Sequence, residues 1–147
     1  MQKMNFSIDI NAPRERVWKV LWGDQNYRDW TSAFMEGSYA VTDDWKEGSK
    51  VLFLAPDGQG MVSKVGAKRQ NEFMSFEHQG VVKDGIEDTT SDEVKQWQGA
   101  KENYTLKEAG KGTKLIIDMD ISEKEKEYFE KVWPKALERV KSLAESN

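Results

Sequence analysis

The chain has 147 residues, a formal net charge of −4 and no cysteine. Because no block of Lys and Arg stands out, we do not expect nucleic acid or an anionic membrane as the main partner. The lack of cysteine excludes disulfides, thiol nucleophiles and cysteine metal sites. The start, MQKMNFSIDI, has no apolar region like that of a signal peptide, and no apolar run approaches the roughly 20 residues of a membrane helix. We therefore expect one cytoplasmic domain, residues 1–147, without membrane insertion.

The N-terminal part of the chain predicts a strand and then two short helices. Apolar and polar residues alternate over residues 4–10, which is the period of a half-buried strand. The strand stops before Pro13, a residue that fits the first position of a helix. Gly23 is expected to end this helix, and Asp24 to cap the next one.

The middle of the chain predicts a series of antiparallel strands. Strand patterns and turn residues alternate along it at fairly regular intervals, as they do in successive hairpins. The predicted strands cover residues 39–41, 51–55, 60–68, 72–78, 95–106 and 113–121.

One connection in this region, residues 81–94, is unusually acidic. It holds five Asp and Glu residues against the single basic residue Lys83. A connection of this length inside a compact domain is usually functional or mobile. Two interpretations stay open: a flap formed around the turn at Asp84 and Gly85, or a solvated loop without a role.

Residues 122–147 predict a long amphipathic helix. Apolar residues recur at spacings of three and four, and charged residues fill the opposite face. Ser122, with Glu125 three residues later, is the pattern of a capping box. Pro134 lies in the middle and lacks the N–H that a helix needs, so we expect a bend or a break there. The bend could follow the curve of a sheet or could help to shape a pocket.

The chain resembles a known superfamily in both the order of its elements and its local motifs. Residues 10–21, INAPRERVWKVL, match the pattern I-x-A-P-x-x-x-V-W-x-x-L, and Trp30 follows about a dozen residues later. A W-x-x-G turn begins at Trp45, and a glycine-rich turn over residues 110–113 precedes the last strand. These features resemble the START/Bet v 1-like (SRPBCC) superfamily, and within it the branch of homologues of the activator of heat-shock-protein-90 ATPase.

The resemblance implies an α+β helix-grip fold. In this fold an antiparallel curved sheet of about seven strands wraps around a long C-terminal helix, with two short helices after the first strand. An apolar cavity lies between the sheet and the helix in members of the superfamily.

Three functions are compatible with such a fold. The first is the binding of a small hydrophobic or amphipathic ligand, which the high content of aromatic residues and the lack of a known catalytic motif favour. The second, implied by the resemblance, is an interaction with a chaperone ATPase. The third is an enzyme of the cyclase, hydratase or dehydratase type.

His78, the only histidine of the chain, is the first candidate for chemistry. It shares a face of its predicted strand with Met74 and Phe76, so it is expected to point into the interior. There a neutral imidazole could act as a general base or bind a polar group of a ligand. Alternatively, it is a strand-end histidine that faces water or bonds the backbone.

Glu102 and Tyr104 are the second candidate pair. They alternate with Leu106, and a carboxylate beside a phenol is a combination that acid–base chemistry uses. A shift of one residue would reverse the faces of this strand. The residues that would then point inward are Trp97, Lys101, Asn103 and Thr105.

The remaining candidates are apolar residues that could line a ligand pocket, although the pattern favours a place in the core for Trp18, Trp30 and Trp133 taken singly. With one histidine and no cysteine, the chain offers few ligands for a transition metal, so we expect neither a metal nor a cofactor. The predicted ligand-binding residues are Trp18, Trp30, Met74, Phe76, His78, Tyr104, Phe129 and Trp133.

Overall fold

The computed structural model describes residues 1–146, which form four helices and eight strands. The first elements are β1 (Gln2–Ile10), α1 (Arg14–Trp22) and α2 (Asp24–Thr31). They are followed by β2 (Tyr39–Thr42), β3 (Lys50–Leu54), β4 (Gly60–Arg69), β5 (Phe73–Lys83) and β6 (Ile86–Asp88). The last elements are α3 (Asp92–Lys95), β7 (Lys101–Ala109), β8 (Gly112–Ile121) and α4 (Glu123–Glu145).

All strands belong to one antiparallel sheet in the order β1-β8-β7-β5-β4-β3-β2, and β6 pairs with the end of β5. The α4 helix packs against β1, α1 and α2. The predicted α+β helix-grip fold is therefore confirmed. The strand count is eight rather than about seven, because the acidic segment contributes the short strand β6. No helix within residues 1–146 is long and apolar enough to cross a membrane.

The acidic segment 81–94 is a hairpin followed by a short helix. Asp84 and Gly85 both have positive φ angles, 52° and 78°, as in the two-residue turns that fit the twist of a hairpin. The structure thus shows a hairpin formed around this turn instead of an unpaired loop. Glu87 is ion-paired with Lys50 at 2.8 Å, which holds the hairpin against β3.

The predicted strand over residues 95–106 is wrong in its first half. The hydroxyl of Ser91 accepts a hydrogen bond from the Val94 N–H at 3.3 Å and starts α3 there. Gly99, with a φ of 92°, then turns the chain, and β7 begins only at Lys101. Side-chain capping by Ser91 and this turn therefore determine the local structure.

The α4 helix is one uninterrupted α-helix over its described length, so the predicted break at Pro134 does not occur. Pro134 lies on the exposed face of the helix. The predicted capping box is present, because the Ser122 N–H donates to the Glu125 carboxylate at 3.1 Å. The predicted helix also included Asn147, which lies outside the described residues.

The second helix begins differently from the prediction. Gly23, not Asp24, occupies the N-cap position of α2, and Asp24 is its first residue. The Asp24 carboxylate accepts from the Arg28 guanidinium one turn later, at 3.2 Å. Its side chain therefore stabilises the first turn by an i,i+4 pair instead of a cap.

Polar contacts fix the position of α4 at several points. The Arg139 guanidinium donates two hydrogen bonds to the Asp29 carboxylate of α2, and this pairing holds the pKa of Asp29 below its usual value. Near the end of α4, the Asn11 N–H donates to the Glu145 carboxylate at 2.8 Å. Arg16 donates to the carbonyl of Ala144. The helix is thus tied to α2 and to the β1–α1 connection.

We predict that Gly60→Ala destabilises the protein, by about 1–3 kcal/mol or more, because its methyl group would overlap the carbonyl oxygen of Phe53 on β3. The matched control is Gly66→Ala on the same strand, where the nearest atom to the added carbon is 3.8 Å away. Urea unfolding measures both changes. Equal stability of the two variants would contradict the tight β3–β4 approach at Gly60.

Candidate functional site

An open pocket of about 840 Å³ lies between the sheet and the first half of α4. It is lined by α2, by residues of β3, β4, β5, β7 and β8, and by α4 as far as Trp133. Known small-molecule sites have volumes of about 300–1,000 Å³. The space is thus large enough for a ligand of ordinary size.

One end of the pocket is an aromatic wall, formed by Trp30, Tyr104 and Trp133. The ring centroids of Trp30 and Trp133 are 6.1 Å apart, those of Tyr104 and Trp133 are 6.1 Å apart, and those of Trp30 and Tyr104 are 6.5 Å apart. The indole N–H of Trp30 donates to the Leu21 carbonyl at 3.2 Å, which fixes that ring. Since the rings come from α2, β7 and α4, the wall joins three separate elements.

Four polar side chains beside this wall are linked by successive polar contacts: Ser63, His78, Glu102 and Tyr104. The Tyr104 hydroxyl donates to Glu102 Oε2 at 2.5 Å. Glu102 Oε1 lies 3.4 Å from His78 Nε2, and His78 Nδ1 lies 2.6 Å from Ser63 Oγ. A carboxylate can only accept hydrogen bonds, so the arrangement favours a proton on Nε2 and leaves Nδ1 to accept from the Ser63 hydroxyl.

The sheet register brings these four residues together. In β7, Glu102 and Tyr104 lie two residues apart and therefore on one face. Ser63 of β4 is directly opposite His78 of β5, because a register shift occurs between Val62 and Ser63. Bulges of this kind re-aim side chains and are common beside functional sites.

Ser63 has a positioning role in this chain of contacts. Only 1% of Ser63 is exposed, and it does not line the pocket, so a ligand in the pocket does not reach its hydroxyl. The side chains of His78 and Glu102 are 13% and 22% exposed and both line the pocket. The groups that a ligand can meet are therefore the imidazole and the carboxylate, together with the aromatic rings.

Two buried phenols lie close to Glu102. Burial raises the pKa of Tyr104 well above its usual value, and the negative charge of Glu102 and its hydrogen bond to Tyr104 raise it further. Burial also raises the pKa of Tyr27, with a smaller contribution from the charge of Glu102. Both phenols therefore stay neutral at physiological pH, and Tyr104 remains a hydrogen-bond donor to the carboxylate.

The pocket has an acidic lining. Among the described residues that line it, Asp57, Glu102, Asp120 and Glu125 carry carboxylates, and none is a lysine or an arginine. Asp120 is ion-paired with Lys3 at 2.9 Å, and Glu125 takes part in the capping box of α4. Glu102 accepts a hydrogen bond from the aromatic residue Tyr104.

The structure places most of the predicted site residues at this pocket and some outside it. Tyr104 and Leu106 are both buried, so the predicted register of β7 is confirmed, and Trp97 reaches the pocket from the turn before β7. The predicted site residues that line the pocket are Trp30, His78, Glu102, Tyr104, Phe129 and Trp133.

Trp18, Met74 and Phe76 do not line the pocket, and their interpretation as lining residues needs correction. All three are buried in the core. Phe76 packs against Phe53 and Tyr104, with ring centroids 5.1 Å and 6.0 Å apart, and those two residues line the pocket in its place. Trp18 packs against Trp22 at 6.1 Å, and Trp22 does not line this pocket either.

Sequence reasoning missed many of the lining residues and also Ser63, which contacts His78. Ser63 was not singled out, because its contact with His78 depends on a bulge that leaves no mark in the sequence. Tyr27 is not among the predicted ligand-binding residues, although its spacing of three from Trp30 places both rings on one helix face. Within residues 1–146, no three His, Asp or Glu side chains form a cluster that could hold a metal ion.

Comparisons with known proteins are informative about the fold. No family model matches the chain, and no curated protein matches it. Among solved structures, DynU16, a protein of the dynemicin biosynthetic locus, is similar with a TM-score of 0.72 and 14% identity. That match covers 99% of this chain and 48% of DynU16, so the chain spans about half the length of DynU16.

Two further structures match over nearly their whole length. The Aha1 dimer from Colwellia psychrerythraea has a TM-score of 0.71 and 17% identity, with coverage of 99% of this chain and 97% of that protein. The protein ChR145 from Cytophaga hutchinsonii has a TM-score of 0.71 and 22% identity, with coverage of 99% and 94%. These identities show the fold alone. The predicted α+β fold is thus shared with these structures over nearly the whole chain.

The raised pKa values of Tyr27 and Tyr104 predict a loss of stability in alkali. In the unfolded chain a tyrosine ionises near pH 10, whereas these two remain protonated in the folded protein. The unfolded state therefore binds fewer protons above about pH 10, and the free energy of unfolding falls as the pH rises further.

The check is an absorbance titration of tyrosinate in the folded protein and in a Tyr27→Phe/Tyr104→Phe variant. Up to about pH 11 the two titrations should coincide, since neither buried phenol ionises before unfolding. A smaller tyrosinate signal in the folded variant would mean that these phenols are not protected.

Proposed function

We propose that this protein binds a small hydrophobic or amphipathic molecule in the pocket between the sheet and α4. The observation that carries the proposal is an open space of about 840 Å³ with aromatic rings along its wall. Removing apolar ligand surface from water is favourable by about 25 cal/mol per Å², so such a lining favours an apolar ligand body. The physiological role of binding is a separate question from the site.

The mouth of the pocket supports the same proposal. Met1, Met35 and Tyr128 line the pocket and are themselves exposed to solvent by 65%, 53% and 46%. Methionine side chains are flexible and adapt to ligands of different shape. An apolar ligand could therefore contact protein surface before it is fully enclosed.

We predict that Phe129→Glu weakens the binding of the neutral apolar dye N-phenyl-1-naphthylamine at least about tenfold, because a charge would be placed in the apolar lining. Phe129 lies on α4, is half-buried and lines the pocket. Dye fluorescence during titration measures the affinity.

The matched control is Ile86→Glu, which makes the same kind of change at a 70% exposed position outside the pocket. Its dye affinity should equal that of the unmodified protein. The proposal fails if the dye does not bind, or if both variants bind it as tightly as the unmodified protein does, provided that unfolding curves show all proteins to be folded.

A second candidate function is acid–base catalysis on the bound molecule, which the contacts between His78, Glu102 and Tyr104 favour. A carboxylate that lies 3.4 Å from an imidazole and 2.5 Å from a phenol supplies, with them, the groups that move protons in such reactions. One reaction of this class is removal of a proton from the carbon next to a ligand carbonyl. Glu102 would accept that proton, exchange it with solvent, and return a solvent-derived proton to the same carbon.

The catalytic candidate is tested by deuterium exchange. In heavy water, such a reaction would replace the hydrogens next to the carbonyl of an apolar ketone, for example 2-octanone, with deuterium. Proton NMR would follow their loss with the unmodified protein and with Glu102→Gln. A rate that is the same in both samples and in buffer would exclude this function for the ketone class.

The other function that the sequence resemblance implies is an interaction with a chaperone. Its support is the similarity to Aha1, and at 17% identity that similarity shows the fold alone. The pocket contacts, by contrast, are features of this chain's own residues.

A further inference from the structure

We propose that the ligand of this pocket carries a positive charge on an apolar body, and that Glu102 is the counter-charge that binds it. The ligand class is an amphipathic amine or another organic cation. This inference rests on the proposed function, because it names the chemistry of a molecule held in the same pocket.

Glu102 is an acidic group without a permanently charged partner. Within the described residues its polar contacts are the Tyr104 hydroxyl at 2.5 Å and His78 Nε2 at 3.4 Å. No lysine or arginine among residues 1–146 is ion-paired with it. Its side chain is only 22% exposed.

A carboxylate in such surroundings favours a cation nearby. Removing a charge from water costs free energy, which proteins usually offset by an opposite charge as well as by hydrogen bonds. The Tyr104 hydroxyl supplies a hydrogen bond but no charge. Because Glu102 lines an open pocket, a cationic group of a ligand can reach it from the pocket side.

The other carboxylates of the lining are already held by neighbours. Asp120 pairs with Lys3 at 2.9 Å, and Glu125 accepts from the Ser122 N–H at 3.1 Å. Asp57, in the turn before β4, accepts from the Gln59 N–H at 2.9 Å. These groups still add negative potential at the mouth, and no lysine or arginine of the described lining opposes it.

The aromatic wall suits the same ligand class. A cation is attracted to the face of an aromatic ring within about 6 Å of its centroid, and tryptophan gives the strongest attraction. Trp30, Tyr104 and Trp133 lie within 6.5 Å of one another beside Glu102. The site therefore combines a carboxylate, aromatic side chains and apolar space, and the same carboxylates disfavour an anionic ligand.

The test compares three ligands that share one alkyl chain and differ in the head group: octylammonium, octanol and octanoate. Isothermal titration calorimetry at about pH 8 keeps the ammonium and carboxylate groups charged. We expect octylammonium to bind at least about tenfold more tightly than octanol, and octanoate to bind most weakly. Octanol serves as the reference for the apolar contribution.

Two variants test which carboxylate gives octylammonium its higher affinity. In Glu102→Gln, a nearly isosteric change that can still accept from Tyr104, the advantage of octylammonium over octanol should disappear. Asp57→Asn removes the same charge from the mouth and should leave most of that advantage in place.

The outcomes separate this inference from the proposed function. If octanol binds as tightly as octylammonium, the inference is overturned and the binding of apolar ligands stands. If Asp57→Asn removes the advantage as fully as Glu102→Gln does, the assignment to Glu102 is overturned. If none of the three compounds binds, the proposed function itself fails, and the inference fails with it.

Discussion

The contact of Trp133 with Trp30 and Tyr104 determines how the long helix lies over the sheet. From this point to its end, α4 has the buried side chains Trp133, Ala136, Leu137, Val140 and Ala144. Before it, from Glu123 to Val132, no side chain is fully buried. The second half of α4 is thus part of the core, whereas the first half extends past the core and covers the pocket. One aromatic cluster therefore separates the packed end of the molecule from the open end.

The polar groups of the site depend on the same boundary. Tyr104 packs in the aromatic cluster through its ring. Its hydroxyl donates a hydrogen bond to Glu102, which lies two residues earlier in β7. The β4 bulge then brings Ser63 to His78 and fixes the imidazole beside that carboxylate. Core packing and strand register thus place a carboxylate in aromatic surroundings, and this placement is the basis of both the binding proposal and the preference for a cation.

Much of the fold could be predicted from local patterns, because they report which face of an element is buried. The periodicity of α4 and the alternation of β7 predict the faces that are buried in the structure, and the capping box at Ser122 predicts where α4 begins. The patterns failed where contacts between residues distant in sequence determine the local arrangement. They could not show that Phe53 lines the pocket while Phe76, packed against it, does not, nor that a register shift places Ser63 beside His78. The sequence therefore indicated His78, Glu102 and Tyr104 as candidate site residues, but it did not indicate the contacts among them.

The central claim is that a ligand enters the open end and leaves the packed core unchanged, and the six tryptophans report on it directly. Trp30, Trp97 and Trp133 line the pocket, whereas Trp18, Trp22 and Trp45 do not. The measurement is a nitrogen–proton NMR spectrum of the indole N–H groups during titration with octylammonium. We predict shifts for the three lining tryptophans and little change for the others. Shifts confined to Trp18, Trp22 and Trp45, or no shifts at all, would contradict the account.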